Sequence, residues 1–582
     1  MSEQPAWTAE RGPAVIPRAS HIVVPRRHGE ILMEPAGEVL RQAVEARRGT
    51  TPGWAPQGPW PELAAIARRE LFETIARHAA AVGDDPPPVG MLGQPWIITG
   101  HQCEFYHAGV WAKVLAADRL ASVTGGCAID LIVDHDRLAH PGFAVPVASG
   151  APSSQRRLTR QYLLWDHSRA VAAEMLSAPQ GDTRERWLAA VRREPLAKSA
   201  ALSQFLDYLA ADHSASLVDW LSGARRHFEK SLGLKVWHAP CSGWCSGVAW
   251  TAFALAWMRQ PRWAEIYNAA LDGYRQSQRI TRPGRPIPDL MIAATRRELP
   301  FWIYGDQQPR QRLFFEADGP ARLTWFDGPA LTVNGYLSGD LLPAARGLQA
   351  ELSRRRLCLR PRALTLTLFA RTFQADLFIH GIGGALYDRI TDEIWRNIFG
   401  PTDPPGIAGP RQPSVPSYGC VSAGWLLPLE PPAAAAPDWP ALRWRRHHWG
   451  HNPQLWWDAL PTPGPQASHL LEQRTGLIAR IAESLHEDRR RGQRRGRASR
   501  SKLFQHLHSV NARLRELFPD PLRQLDERIA AAGAAWDNAA AATWREYFFA
   551  LHPPDSLREL LARIQQRIPG DGTAGTPRKA EE

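Results

Sequence analysis

The stretch that most constrains the fold of this chain runs from Pro95 to Asp136. There a short apolar run, a helical segment and a second apolar run follow one another within about 40 residues. PWIITG (95–100) has two adjacent isoleucines and stops at Gly100, which suits a buried strand. GVWAKVLAADRLASV (109–123) reads as a helix ended by Gly125-Gly126, and CAIDLIVDHD (127–136) as a second strand with polar residues at its carboxyl end. Strands this close with a helix between them form a βαβ unit, whose strands are parallel and whose crossover is right-handed. The fold class is therefore α/β.

The same grammar returns some 280 residues later. ADLFIHGIGG is a strand running into a glycine turn, and ALYDRITDEIWRNIFG a helix stopped by Gly400 and Pro401. Between the two units, 151–230 reads as mainly helical, KVWHAP (235–240) as a strand, and VAWTAFALAWMRQPRWAEIYNAALDGYRQS as helix. PFWIYG, RQRLFFEAD, ARLTWFDG and PALTVNGYL, separated by turn residues, predict a small antiparallel sheet, and RALTLTLFARTFQ a helix. Ahead of the first unit, 61–83 places Leu63, Ile66, Leu71 and Ile75 on one helical face, and GDDPPPVG closes it.

At 582 residues the chain should hold roughly three or four domain-sized units. The expected division is an N-terminal arm (1–60), the first half of the core (61–150), helical and small β insertions (151–360) and the second half of the core (361–465). A helical coiled-coil arm (466–568) and a disordered tail (569–582) follow.

Hydrophobic residues at 44% and charged residues at 22% exclude a disordered chain. No apolar run reaches the ~18 residues of a membrane span, and the start MSEQPAWTAERGP shows no secretory signal. Six cysteines are too sparse for a disulfide scaffold, so a cytoplasmic protein is expected. Cys241-x3-Cys245, with His238 before it, has no complementary second pair, which favours structural cysteines over zinc. The net charge of +12 attracts phosphates, anionic metabolites and nucleic acid alike. The arginine run from Arg489 to Lys502 contains no aromatic residue, which points to a solvated arm rather than a nucleic-acid partner. His447, His448 and His451 in WRRHHWGHNPQLWW are a candidate metal cluster among tryptophans that read as core.

In an open parallel sheet, ligands bind beyond the carboxyl ends of the strands. Three such ends carry unusual residues. Thr99, Gly100, His101 and Gln102, continuing to His107 and Gly109, combine a close-approach glycine, polar donors and a helix start, with Lys113 one turn in; a helix-capping polar cluster is the alternative. Asp134, His135 and Asp136 suit Mg²⁺, a substrate amine or general-base work through His135, or equally a turn whose carboxylates bind backbone amides. His380, Gly381, Gly383 and Gly384 suit a phosphate or ribose, with Tyr387 and Asp388 following.

These blocks resemble the cysteine-adding enzyme family of bacillithiol biosynthesis: ITGHQ at the first strand, DHD at the second, and paired glycines (Gly383-Gly384) after a late strand. The resemblance implies a Rossmann-like parallel-sheet core with inserted segments, a C-terminal α-helical coiled-coil arm and a homodimer formed through that arm. It further implies ATP with Mg²⁺ as cofactor, and ligation of a cysteine-like amino acid carboxylate to an amine. Catalysis would fall to His135, Asp134 and Asp136. Thr99, Gly100, His101, Gln102, His107, Gly109, Lys113, His380, Gly381, Gly383 and Gly384 would hold the nucleotide. His101 replaces the family's first Gln, His140 stands near where an acidic residue follows the Asp-His-Asp block, and Ala385 to Asp388 follow the glycines directly, which implies a divergent branch. Two other functions fit the residues: a metal-dependent hydrolase using His101, His107, His135 and Asp136, and a nucleotide-binding scaffold without catalysis.

Overall fold

The computed structural model describes residues 22–47, 59–149, 157–165, 171–195, 198–278, 280, 287–326, 328–398, 417–429, 439–451, 464–491, 497–517 and 519–570. Its strands, in chain order, are β1 (Glu30–Glu34), β2 (Trp96–Gln102), β3 (Cys127–Val133), β4 (Gly142–Ser149), β5 (Arg157–Leu164) and β6 (Val236–Pro240). They continue with β7 (Arg296–Gly305), β8 (Gln311–Glu316), β9 (Arg322–Thr324), β10 (Leu331–Thr332), β11 (Leu357–Pro361), β12 (Leu377–His380) and β13 (Tyr418–Gly424). The chain divides into two units, one drawn from 22–145, 161–427 and 545–570, the other from 146–160 and 428–544.

The first unit is mixed α/β around a six-stranded sheet of order β1-β13-β12-β2-β3-β6. All its strands are parallel except β1, which runs antiparallel to β13 at the edge. From β2 the chain adds β3 and β6 on one side and later β12 and β13 on the other, so the winding reverses between β2 and β12. Helices on both faces explain why these strands read as continuous apolar runs. Ile98, Ile129 and Leu131 join a core with Leu71 of helix Trp60–Ala81 and Phe253 of helix Val248–Arg259. Their neighbour Asp130 points the other way and meets Arg225 of helix Leu217–Ser231 at 2.7 Å.

Helix Ala108–Thr124 lies on that second face. It begins at His107, whose Nδ1 accepts from Gly109 N, and ends at Gly125 with φ +61°, a left-handed stop that favours glycine. It is buried almost all round because Phe549 stacks on Trp111 at 4.7 Å and helix Pro554–Arg567 packs outside it. The expected small sheet is present as antiparallel β10-β9-β8-β7-β11, one strand longer than the four runs foretold.

In the second unit, helices Pro465–Arg491 and Arg497–Glu516 pair antiparallel. Arg500 donates to Ser484 Oγ at 3.2 Å near one end, and Arg474 Nε to Asn511 Oδ1 at 3.0 Å near the other. Leu470, Leu477, Val510 and Leu514 fill the seam.

Three expected boundaries need correction. Residues 22–47 are no extended arm: β1 edges the sheet, and Leu40 and Val44 of helix Gly37–Glu45 are fully buried. The second half of the core, expected to run to 465, contributes the inner strand β13 but ends at Leu427. Residues 545–570 leave the helical arm and return to the first unit. The stop at Gly400-Pro401, the tail from 571 on, His451 and most of the arginine run lie outside the residues or side chains described. Among the described residues no helix is long and apolar enough to cross a membrane.

Candidate functional site

Parallel pairing brings the three polar strand ends to one edge. Ile379 sits opposite Thr99, and Gln102 opposite Val133. Adjacent strands lie about 4.8 Å apart, so β12 and β3 flank β2 within about 10 Å of each other, and Asp134 to Asp136 follow β3 beyond the level of Gln102. Gln102 Nε2 closes part of that span by donating to Asp136 Oδ2 at 3.4 Å. The winding reverses between β2 and β12, and in open parallel sheets the crevice at such a reversal is where ligands are taken.

At the β12 end the side chains are committed to one another. His380 Nε2 lies 2.8 Å from Asp388 Oδ2, and Arg371 reaches Asp388 at 2.6 Å and Asp392 at 2.9 Å. Burial pushes the Asp388 carboxyl up, but Arg371 and His380 outweigh it and hold the group well below the usual range. Asp388 therefore latches helix Ile382–Ile398 to β12 instead of facing the crevice, and Tyr387 packs 6.0 Å from Tyr274. A Cβ on Gly384 would stand 2.7 Å from His380 Nδ1, so glycine is needed for the ring to sit there. Gly381 and Gly383 have nothing within 4 Å of where a Cβ would be. The first turn of this helix is thus open, and its leading amides have no partner within the helix.

The β2 end differs from expectation. Thr99 is fully buried and donates its hydroxyl to Ile379 O at 2.8 Å, tying β2 to β12. Lys113 points inward and donates to Gly100 O; burial brings its amine down to about 8 against the opposing pull of Asp130. His101 packs edge-on against Tyr106 at 5.2 Å, and burial with Lys113 nearby holds its ring well below the ordinary value. His107 is the helix cap, its ring lowered to about 3 by burial, then Arg545 and Lys113. At Gly109 a Cβ would meet Ala423 O at 2.6 Å and the Arg545 guanidinium at 2.7 Å. Arg545 donates to Ser422 Oγ at 3.1 Å, and that hydroxyl donates to Gly109 O at 3.1 Å. The N-terminus of helix Ala108–Thr124, expected as a phosphate cradle, is therefore closed by β13 and Arg545. Gln102 is the side chain of this end that reaches the β3 end.

At the β3 end, Asp134 accepts from Ser242 N at 2.9 Å and from Ser242 Oγ. Burial and then Glu174 raise its carboxyl to about 7. His135 is 3% exposed, its ring is lowered to about 4 chiefly by burial, and its Nδ1 has no hydrogen-bond partner among the described residues. Asp136 is 36% exposed and pairs with Arg310 at 2.7 Å. Behind them Arg360 grips Glu174 with two bonds, at 2.9 and 2.8 Å, and Tyr304 donates to Glu174 as well. Glu174, Tyr304, Arg310, Arg360 and Ser242 carried no sequence signal, because each is a single residue outside any motif. Tyr304, Arg310 and Arg360 come from the small antiparallel sheet and its β7–β8 turn, Glu174 from a short turn after β5, and Ser242 from the helix after β6. Cys241 was flagged only as structural. Its sulfur, an Asp134 oxygen and a His135 nitrogen all lie within 4.8 Å of one another. His101 and His107, expected with His135 and Asp136 around one ion, do not belong to that converging group.

No family model matches the chain, and no curated protein matches it.

Proposed function

We propose that this chain is an ATP-using carbon–nitrogen ligase that activates the carboxylate of a cysteine-like amino acid and joins it to an amine of a small metabolite. The observation that carries this is the open, glycine-lined first turn of helix Ile382–Ile398 at the reversal of the sheet. The order of the parallel strands supports a Rossmann-like core, and the antiparallel helix pair of the second unit supports a coiled-coil arm through which the chain dimerises.

The residues present fit a nucleotide phosphate. The first amides of the helix, which have no partner within it, and the positive end of its dipole favour an anion, with no side chain from Gly381 or Gly383 in the way. Bound ATP with Mg²⁺ would supply the phosphoryl or nucleotidyl group that activates the carboxylate. Gln102 offers an amide donor to the carboxylate, and Asp136, the exposed member of the Asp-His-Asp block, holds the incoming amine and takes its proton. His135 is too deeply buried for that task.

ATP with Mg²⁺ should raise the melting temperature, since a ligand at 100 times its Kd adds about 2.7 kcal/mol. Phosphate or pyrophosphate should be released when the correct amino acid is added. No thermal shift at millimolar ATP, together with no release for any amino acid, overturns the proposal.

A further inference from the structure

We propose that Asp134, His135 and Cys241 form a binding site for one divalent transition metal, best suited to Zn²⁺. The inference does not rest on the ligase reading. It comes from the way β3 and β6 end. Ile132 pairs with Pro240, so the two residues after each strand emerge side by side. Asp134 and His135 leave β3 where Cys241 and Ser242 open the short helix Cys241–Trp244.

Carboxylate, imidazole and thiolate together are a zinc donor set, and three protein ligands leave one tetrahedral position open. The ligand atoms lie within 4.8 Å of one another, whereas a tetrahedral zinc holds its donors about 3.3–3.7 Å apart. A contraction of at most about 1.5 Å, within reach of side-chain rotation, completes the site.

One observation favours a ligand directly, and the charge balance is consistent with it. The His135 ring is more than nine-tenths buried, yet its Nδ1 has no hydrogen-bond partner among the described residues, a costly arrangement unless something binds there. The surrounding charges are also compatible with a dication. Glu174 is neutralised by Arg360 and Asp136 by Arg310, so these pairs cancel. What remains is the Asp134 carboxylate and, once its proton is released to solvent, the Cys241 thiolate: two negative charges that one M²⁺ balances. Ser242, donating to Asp134 from both backbone and hydroxyl, supplies the outer hydrogen bonds that orient a metal-bound carboxylate.

The test uses the full chain, stripped with a chelator and titrated with Zn²⁺ and, for its spectrum, with Co²⁺. We expect uptake of one metal per chain and a thiolate-to-cobalt charge-transfer band. Cys241→Ser should abolish the band and weaken Zn²⁺ binding by more than about 100-fold, beyond the loss typical of an outer-shell residue. Cys127→Ser, at the opposite end of β3, should change neither. If Cys241→Ser does not fold, His135→Gln replaces it and should weaken binding by at least about 10-fold. Folded wild-type chain that takes up less than about 0.1 equivalent of Zn²⁺, a charge-transfer band that survives in folded Cys241→Ser, or unchanged Zn²⁺ affinity in folded His135→Gln overturns the site.

Discussion

Gly383 and Gly384 are neighbours under opposite constraints. A methyl on Gly384 would press on the His380 ring at 2.7 Å and strain the Asp388 latch, while a methyl on Gly383 enters open space. Gly384→Ala should therefore cost about 1–3 kcal/mol in denaturant unfolding. Gly383→Ala should be neutral or stabilising by up to about 1 kcal/mol, because alanine is the better helix former, while weakening ATP binding. Sequence could flag the glycine pair, but only the packed His380 ring separates the roles of its two members. Glu70 gives a second residue-level prediction. Burial raises its carboxyl to about 6, although it accepts from Val248 N at 2.6 Å and Ala249 N at 3.2 Å. With the folded value above the unfolded one, near 4.3, the folded chain holds more protons in between, and stability falls as pH rises through that window. Comparison of wild type with Glu70→Gln from pH 4 to 7 should show the wild type losing up to about 2 kcal/mol relative to the variant.

Elements were legible where burial was written into consecutive residues. β2, helix Ala108–Thr124 and β3 are mostly apolar and mostly buried, so their order and class could be read directly. β13 could not: YGCVSAG is small and nearly neutral in pattern, and is made an inner strand by β1 and β12 on either side. The return of 545–570 to the α/β unit was equally hidden, because its docking rests on two aromatics. Phe549, fully buried, stacks on Trp111 with an interplanar angle of 8°, and Phe548 packs 5.0 Å from Phe105. Phe549→Ala should destabilise the α/β unit by about 3–5 kcal/mol in chemical denaturation. A loss below about 1 kcal/mol would mean that the C-terminal segment is not part of that core.

At the scale of the whole molecule, the candidate site is assembled from distant parts. Three strand ends, the last roughly 240 residues beyond the other two, share one edge, which the alternation of strands and helices made legible. Their supporting groups did not show in the sequence, since Glu174, Arg310 and Arg360 come from insertions with no motif and meet the edge only through tertiary packing. The central claim is that a nucleotide lies in the crevice where the sheet reverses, against the open first turn of helix Ile382–Ile398. Hydrogen–deuterium exchange of the full chain, with and without ATP and Mg²⁺, tests it most directly. The account predicts slowed exchange in peptides spanning 380–386 and 99–103 and none across 512–530. Unchanged exchange at 380–386 under saturating ATP would contradict it.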